Sequence, residues 1–128
     1  MSTYLNPESI QDGTIGLKKL ANFTIINDST STSRSISLEF GKCSQITGAA
    51  LTSLSITGFT ESISNRYNEC LVEFDCGSNF SFTYPSSVRW ANNIAPEFQN
   101  GWHYQVSFTN MVFNNTTYIL GICVGFPK

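Results

Sequence analysis

The chain has 128 residues, and its 7 basic and 9 acidic side chains give a formal net charge of −2, with 12% of positions charged, against roughly a quarter in an ordinary soluble domain. A length near the commonest domain size holds one hydrophobic core and no second full domain, and without a basic surplus there is no surface to release counterions from nucleic acid or to meet an acidic membrane. The 17 Ser, 13 Thr and 12 Asn residues compete for helical backbone hydrogen bonds and favour turns and strands, which excludes an all-α fold.

Residues 1–20 differ from the rest. The N-terminus has neither a basic nor an apolar stretch of the kind that forms a secretory signal, so the expectation is a chain beginning at Met1 in a reducing cytosol. Asn6-Pro7-Glu8-Ser9 reads as a helix start, and Asp12-Gly13 would stop that helix after about two turns. Ile10, Ile15, Leu17 and Leu20 then offer apolar side chains with no local cluster to receive them, so residues 1–20 are expected to dock on another surface and residues 21–128 to form the folded domain.

From residue 21 the periodicity is that of strands: Asn22–Asn27, Ser35–Phe40, Leu51–Thr57, Glu69–Cys76, Asn79–Tyr84, Trp102–Asn110 and Thr117–Phe126. Each alternates apolar and polar residues, the last through Tyr118, Leu120, Ile122, Val124 and Phe126. Asp28–Arg34 reads as an exposed loop, Cys76-Gly77-Ser78-Asn79 as a tight hairpin, and Asn114-Asn115 as a turn accepting left-handed backbone angles. Pro85–Gly101 is the one long connection, expected as an ordered surface loop. About seven short strands with such punctuation predict an all-β fold, an antiparallel β-sandwich or small barrel. The longest apolar run, Tyr118–Phe126, is half the ~18 residues a membrane-spanning helix needs.

The chain carries few groups for catalysis. His103 is the single histidine, and alternation sets it with Gln105 and Ser107 opposite the aromatic face of its strand, as a surface group. Glu73 and Asp75 share one strand face at a spacing that two glycosidase carboxylates could use, but any solvent-facing strand produces such pairs. Nucleotide-binding glycine motifs and the nucleophile elbow are missing, so no catalytic residues and no cofactor are assigned. Cys43, Cys70, Cys76 and Cys123 include no C-x-x-C pair, and no metal site is expected. Cys70 and Cys76 fall with Val72 and Phe74 on one strand face, as small buried hydrophobes opposite Leu71, Glu73 and Asp75. Trp90, Trp102 and Tyr104 lie around the long loop beside Asn and Gln, a combination suited to stacking on a sugar and binding its hydroxyls; core anchoring is the competing reading for Trp90.

Residues 82–108 run from Phe82-Thr83-Tyr84 through Pro85-Ser86-Ser87, Val88-Arg89-Trp90-Ala91-Asn92 and Pro96 to Gly101 and the alternating strand Trp102–Phe108. This segment resembles one found in virion proteins of tailed phages, including crAss-like gut phages, with Asn92-Asn93 where such proteins often have Asn-Gly. Residues 8–20 are similar to leaders that precede trimeric fibre domains in the same phages. The resemblance implies a non-enzymatic virion component: a head or tail fibre or auxiliary capsid protein, assembled in the bacterial cytoplasm, attached through residues 1–20 to other virion proteins, with a trimer as the favoured homo-oligomer. A host-glycan-binding module using Trp90, Trp102 and Tyr104 is the alternative.

Overall fold

The computed structural model describes residues 23–28, 31–60 and 68–128. They form eight strands: β1 (Phe23–Asp28), β2 (Ser33–Glu39), β3 (Cys43–Gly48), β4 (Leu51–Thr60), β5 (Asn68–Thr83), β6 (Val88–Trp90), β7 (Trp102–Phe113) and β8 (Thr116–Pro127), with one 3-10 turn at Ala91–Asn93. The described residues are all-β and sandwich-like, as the strand periodicity predicts, and their sheet does not close into a barrel. Residues 1–20, with the expected helix start and with Ile10, Ile15, Leu17 and Leu20, lie outside the described residues.

The first half of the fold is a parallel coil, where antiparallel pairing was expected. Strand β1 pairs parallel with β3, and β3 with the start of β5; β2 pairs parallel with β4, and β4 with the end of β5. Successive strands alternate between two layers, so each turn of the coil contributes one strand to each. Ser33 faces Ser53, which faces Ser81; Ser35 faces Ser55, which faces Thr83; and between them Arg34, Leu54 and Phe82 fall in one row. Side chains alternate across a strand, so the coil stacks small hydroxyl residues on its outside and larger residues within.

Strand β5 links the layers. Cys76-Gly77-Ser78-Asn79, expected to be a hairpin, lies inside this single 16-residue strand. Its turn residues serve an irregularity in the β4–β5 register between Leu51 and Ser53. Asn79 takes the left-handed conformation there (φ 52°), which Asn tolerates better than most residues. At Gly77 a Cβ would come within 2.9 Å of the Leu51 carbonyl oxygen, so the two backbones meet where only glycine fits.

The second half is antiparallel. Strand β7 pairs with β5 on one side and β8 on the other. Asn114 and Asn115, at φ 54° and 62°, close the β7–β8 hairpin as the two-residue turn their positive angles permit. The long connection after Pro85 contains β6, which pairs with β8 only at Ile119–Gly121. Asn92 and Asn93 turn it through positive φ, and Phe98 anchors it against Phe74, Phe80, Phe82 and Tyr104.

The core lies between the layers and includes Leu38, Phe40, Leu51, Leu54, Val72, Phe74, Val106 and Phe108, with Cys70 and Cys76 on the buried face of β5 as the alternation predicts. Strand β8 presents the opposite face to the one its apolar alternation suggests. Phe108 faces Gly121, Val106 faces Cys123 and Tyr104 faces Gly125, so the inward row of β8 is small. The Trp90 ring lies where a Cβ on Gly121 would be, and the Tyr104 ring where one on Gly125 would be. The glycines admit these rings, and Leu120, Ile122, Val124 and Phe126 are turned to the outer face.

Candidate functional site

The outer face of β3, β5 and β7 carries a cluster of polar side chains in register. Gln45 faces Glu73, Glu73 faces Gln105, and Asp75 faces His103. Residues directly opposite across strands bring their Cβ atoms within about 5 Å, so separations of 28 to 32 residues along the chain become direct bonds. Glu73 accepts hydrogen bonds from Gln45 Nε2 at 3.0 Å and from Gln105 Nε2 at 3.0 Å. His103 lies between the two carboxylates, its Nε2 2.7 Å from Glu73 Oε2 and its Nδ1 2.7 Å from Asp75 Oδ1. Lys128 Nζ donates to the remaining Asp75 oxygen at 2.9 Å.

Each carboxylate oxygen therefore has a donor, and each imidazole nitrogen faces an acceptor, an arrangement satisfied when the ring carries both protons. The electrostatics agree. Burial pushes the His103 pKa down, but the hydrogen bonds to Asp75 and Glu73 and their charges outweigh it and hold the pKa above its ordinary 6.5. The Glu73 pKa is lowered first by the hydrogen bond from His103 and then by that from Gln105. Asp75 is pushed up by burial, yet hydrogen bonds from Lys128 and His103 leave it below its usual value. The His103 and Glu73 side chains are 22% and 18% exposed, so His103 is less open than the surface histidine expected. The imidazole occupies the space between Glu73 and Asp75, and with both nitrogens protonated it has no lone pair free to accept a proton; a hollow of about 270 Å³ borders the cluster beside Thr47 and Gly48. In this state the cluster ties β3, β5 and β7 to Lys128.

The aromatic residues considered for sugar stacking face the interior. Tyr104 is 5% exposed, and its hydroxyl accepts a hydrogen bond from the Gln99 backbone N–H at 2.7 Å. Trp90 and Trp102 are half-buried against the core. Trp90 packs edge-on to Tyr84 and tilted against Phe82 and Phe108, while Trp102 stacks on Tyr104. They make no shared platform for a sugar ring, and Trp90 follows the core-anchor reading.

The four cysteines are separate thiols. Burial raises the pKa of each; Cys70 reaches about 12, helped by Glu69, and Cys123 about 11, which leaves almost no nucleophilic thiolate. Among the described residues no group of three or more His, Cys, Asp or Glu is placed to hold a metal ion, and no helix is long and apolar enough to cross a membrane.

Sequence reasoning missed the outer face of β8. Ile122, Val124 and Phe126 are 43%, 58% and 56% exposed, in a strand that contains no charged residue. Beyond Gly121 this strand has no partner on its β6 side among the described residues. Beside that edge runs a largely apolar groove of about 450 Å³, lined by Trp90, Ile94, Pro96, Ile122 and Cys123 and by the carboxylate-bearing Glu97. The signal was present in the sequence, since Gly121 and Gly125 alternate with the large residues, and a strand with glycine on one face must turn its bulk to the other. Compared with known proteins, the chain matches no family model, no curated protein and no solved structure.

Proposed function

We propose that the chain is a non-enzymatic structural protein of a tailed-phage particle, a head or tail fibre or an auxiliary capsid component, which works by packing against neighbouring proteins. The observation that carries this reading is the uncharged, apolar outer row of β8 beside an open strand edge. Natural sheets protect such edges with charges, proline or cover, because an exposed apolar edge is a template for pairing; among the described residues β8 carries no charge and pairs with β6 only as far as Gly121. The saturated His103 cluster supports the same reading, since it spends the one histidine and its neighbouring carboxylates on joining strands. The virion setting and attachment through residues 1–20 rest on the resemblance of residues 82–108 and 8–20.

The test is quantitative mass spectrometry of phage particles purified from infected host cells that produce a tagged copy of the chain. Incorporation at a fixed copy number per particle, lost when residues 1–20 are deleted, supports the reading. A chain that remains in the lysate while complete particles lack it refutes it.

A further inference from the structure

We propose that His103 is a one-proton switch on the outer face of the sheet. Its doubly protonated ring bridges Glu73 and Asp75; on losing a proton to solvent, the ring keeps Glu73, lets go of Asp75 and takes a water in that place.

Two acceptors flank the ring, Glu73 Oε2 and Asp75 Oδ1, each 2.7 Å from a ring nitrogen. A neutral imidazole has one N–H to give and turns a lone pair toward the other carboxylate. Three features decide which bond survives. Glu73 is the less exposed of the two, 18% against 30% for Asp75, so water reaches its oxygens less readily and a lone pair facing them costs more. Its other donors, Gln45 and Gln105, are neutral amides, whereas Asp75 already has the Lys128 ammonium at 2.9 Å. The nitrogen that faces Glu73 is Nε2, which is also where a free neutral histidine prefers to carry its proton.

The groups around the ring agree with this direction. Strand β5 presents Glu73 and Asp75, the chain beyond β8 presents Lys128, and β8 itself sets the uncharged Phe126 directly opposite in register. Strand β3 contributes Gln45 and Cys43, whose thiol burial and the Glu73 charge keep protonated, and β7 adds the neutral Gln105. With the ring protonated, two positive and two negative groups balance; a neutral ring leaves one negative charge in excess, which turns the more open Asp75 toward water. Burial lowers the His103 pKa, but the bonds to Asp75 and Glu73 hold it above 6.5, so the change falls above that pH.

The hollow beside the cluster provides the room. At about 270 Å³, and lined by Asp75, His103 and Thr47 among others, it far exceeds the roughly 30 Å³ that one water occupies. A water that donates one O–H to Nδ1 and the other to Asp75 Oδ1 satisfies both. The switch also has a reporter. The Phe126 ring lies 5.2 Å from the His103 ring, tilted by 41°, within the ~6 Å over which a cation attracts an aromatic face, so the contact weakens when the charge is lost. Phe126 closes the outer row of β8, and any bearing of the switch on packing there rests on the assembly reading; the switch itself rests on the cluster alone.

The test is NMR of the full nitrogen-15-labelled chain from about pH 5 to 10, using two-bond proton–nitrogen correlations of the imidazole. His103 is the single histidine, so its ring signals are identified without variants. The wild type is expected to show both nitrogens protonated at low pH and, above a midpoint higher than 6.5, a proton kept on Nε2 beside an unprotonated Nδ1, with the Phe126 ring signals shifting at the same midpoint. In Glu73→Gln the neutral ring should reverse to Nδ1–H, because Asp75 is then the one carboxylate beside it. In Asp75→Asn it should keep Nε2–H and titrate at lower pH. A wild-type neutral ring that carries its proton on Nδ1, or divides it equally between the nitrogens, overturns the proposal. So does a ring still doubly protonated at about pH 10, a Phe126 indifferent to the titration, or a Glu73→Gln ring that retains Nε2–H. Particle incorporation is a separate readout: a chain that switches but stays out of particles refutes the assembly reading alone, and one incorporated without switching refutes the switch alone.

Discussion

Replacing Glu73 with glutamine keeps the volume of the side chain and removes its charge, which makes it the sharpest perturbation of the outer-face cluster. The glutamate accepts from Gln45 Nε2, Gln105 Nε2 and His103 Nε2 through its two oxygens. A glutamine offers one accepting oxygen, so at least one donor faces an NH2 group instead, and the bond to His103 loses its ionic character. Hydrogen bonds involving a charged group contribute about 1.5–3 kcal/mol each, and neutral ones about 1. Gln45 and Gln105 are half-buried and recover part of their loss by bonding water, so the expected destabilisation is about 2 kcal/mol at pH 6, or a fall of roughly 5–10 °C in Tm for a domain of this size. The effect has a pH signature. Because the Glu73 pKa is lowered in the fold, its contribution exists above the ordinary value of 4.5 and disappears as pH falls through the folded value. Because the His103 pKa is raised, its share is complete below 6.5 and is lost as pH rises through the folded value. The difference between wild type and Glu73→Gln, measured by urea denaturation from pH 3 to 9, should therefore peak between about pH 5 and 6.5. A difference below about 0.5 kcal/mol that stays flat across this range would be typical of an ordinary surface substitution and would refute the account of the cluster.

The remaining predictions concern packing. Gly121→Ala places a Cβ 2.5 Å from the Trp90 ring, which is held among Phe82, Tyr84 and Phe108; overpacking of this kind should cost about 1–3 kcal/mol in thermal or denaturant unfolding. Phe108→Ala empties a fully buried position and should cost about 3–5 kcal/mol by the same assay, whereas a cost under 1 kcal/mol would contradict the layer packing. Cys70, buried with its thiol pushed to about 12, should resist a thiol reagent at pH 8 in the native state and react at once in guanidinium, as followed by peptide mass spectrometry.

Local chemistry was legible in the sequence. The inward row Cys70, Val72, Phe74 and Cys76, the outward row Glu73 and Asp75, and the side of β7 that carries His103 follow from alternation alone, because each side chain's facing is fixed by its neighbours in the same strand. The Asn114-Asn115 turn was equally readable from two residues that tolerate positive φ. Strand β3 escaped because Cys43-Ser44-Gln45-Ile46-Thr47-Gly48 contains one strongly apolar residue, and β6 because it is three residues long. Parallel pairing leaves no mark in local periodicity, since it depends on which distant strand lies alongside. One trace existed: Ser33-Arg34-Ser35-Ile36 reappears 20 residues later as Ser53-Leu54-Ser55-Ile56. The next turn of the coil breaks the interval, with Ser53 facing Ser81, so no fixed period could be found. The candidate site was visible residue by residue but not as a cluster, because Gln45, Asp75, His103 and Lys128 meet only through the β3–β5 and β5–β7 pairings and the reach of the Lys128 side chain.

The assembly account stands or falls on whether the outer row of β8 packs against a neighbour. Quantitative mass spectrometry of particles from infected cells that supply Val124→Lys reads this directly, because the substitution puts a charge at a 58% exposed position and leaves the core untouched. The account predicts that the wild-type chain is incorporated at a fixed copy number and that Val124→Lys, with an unchanged circular-dichroism spectrum, is incorporated at least tenfold less. Incorporation of Val124→Lys at the wild-type copy number would contradict it.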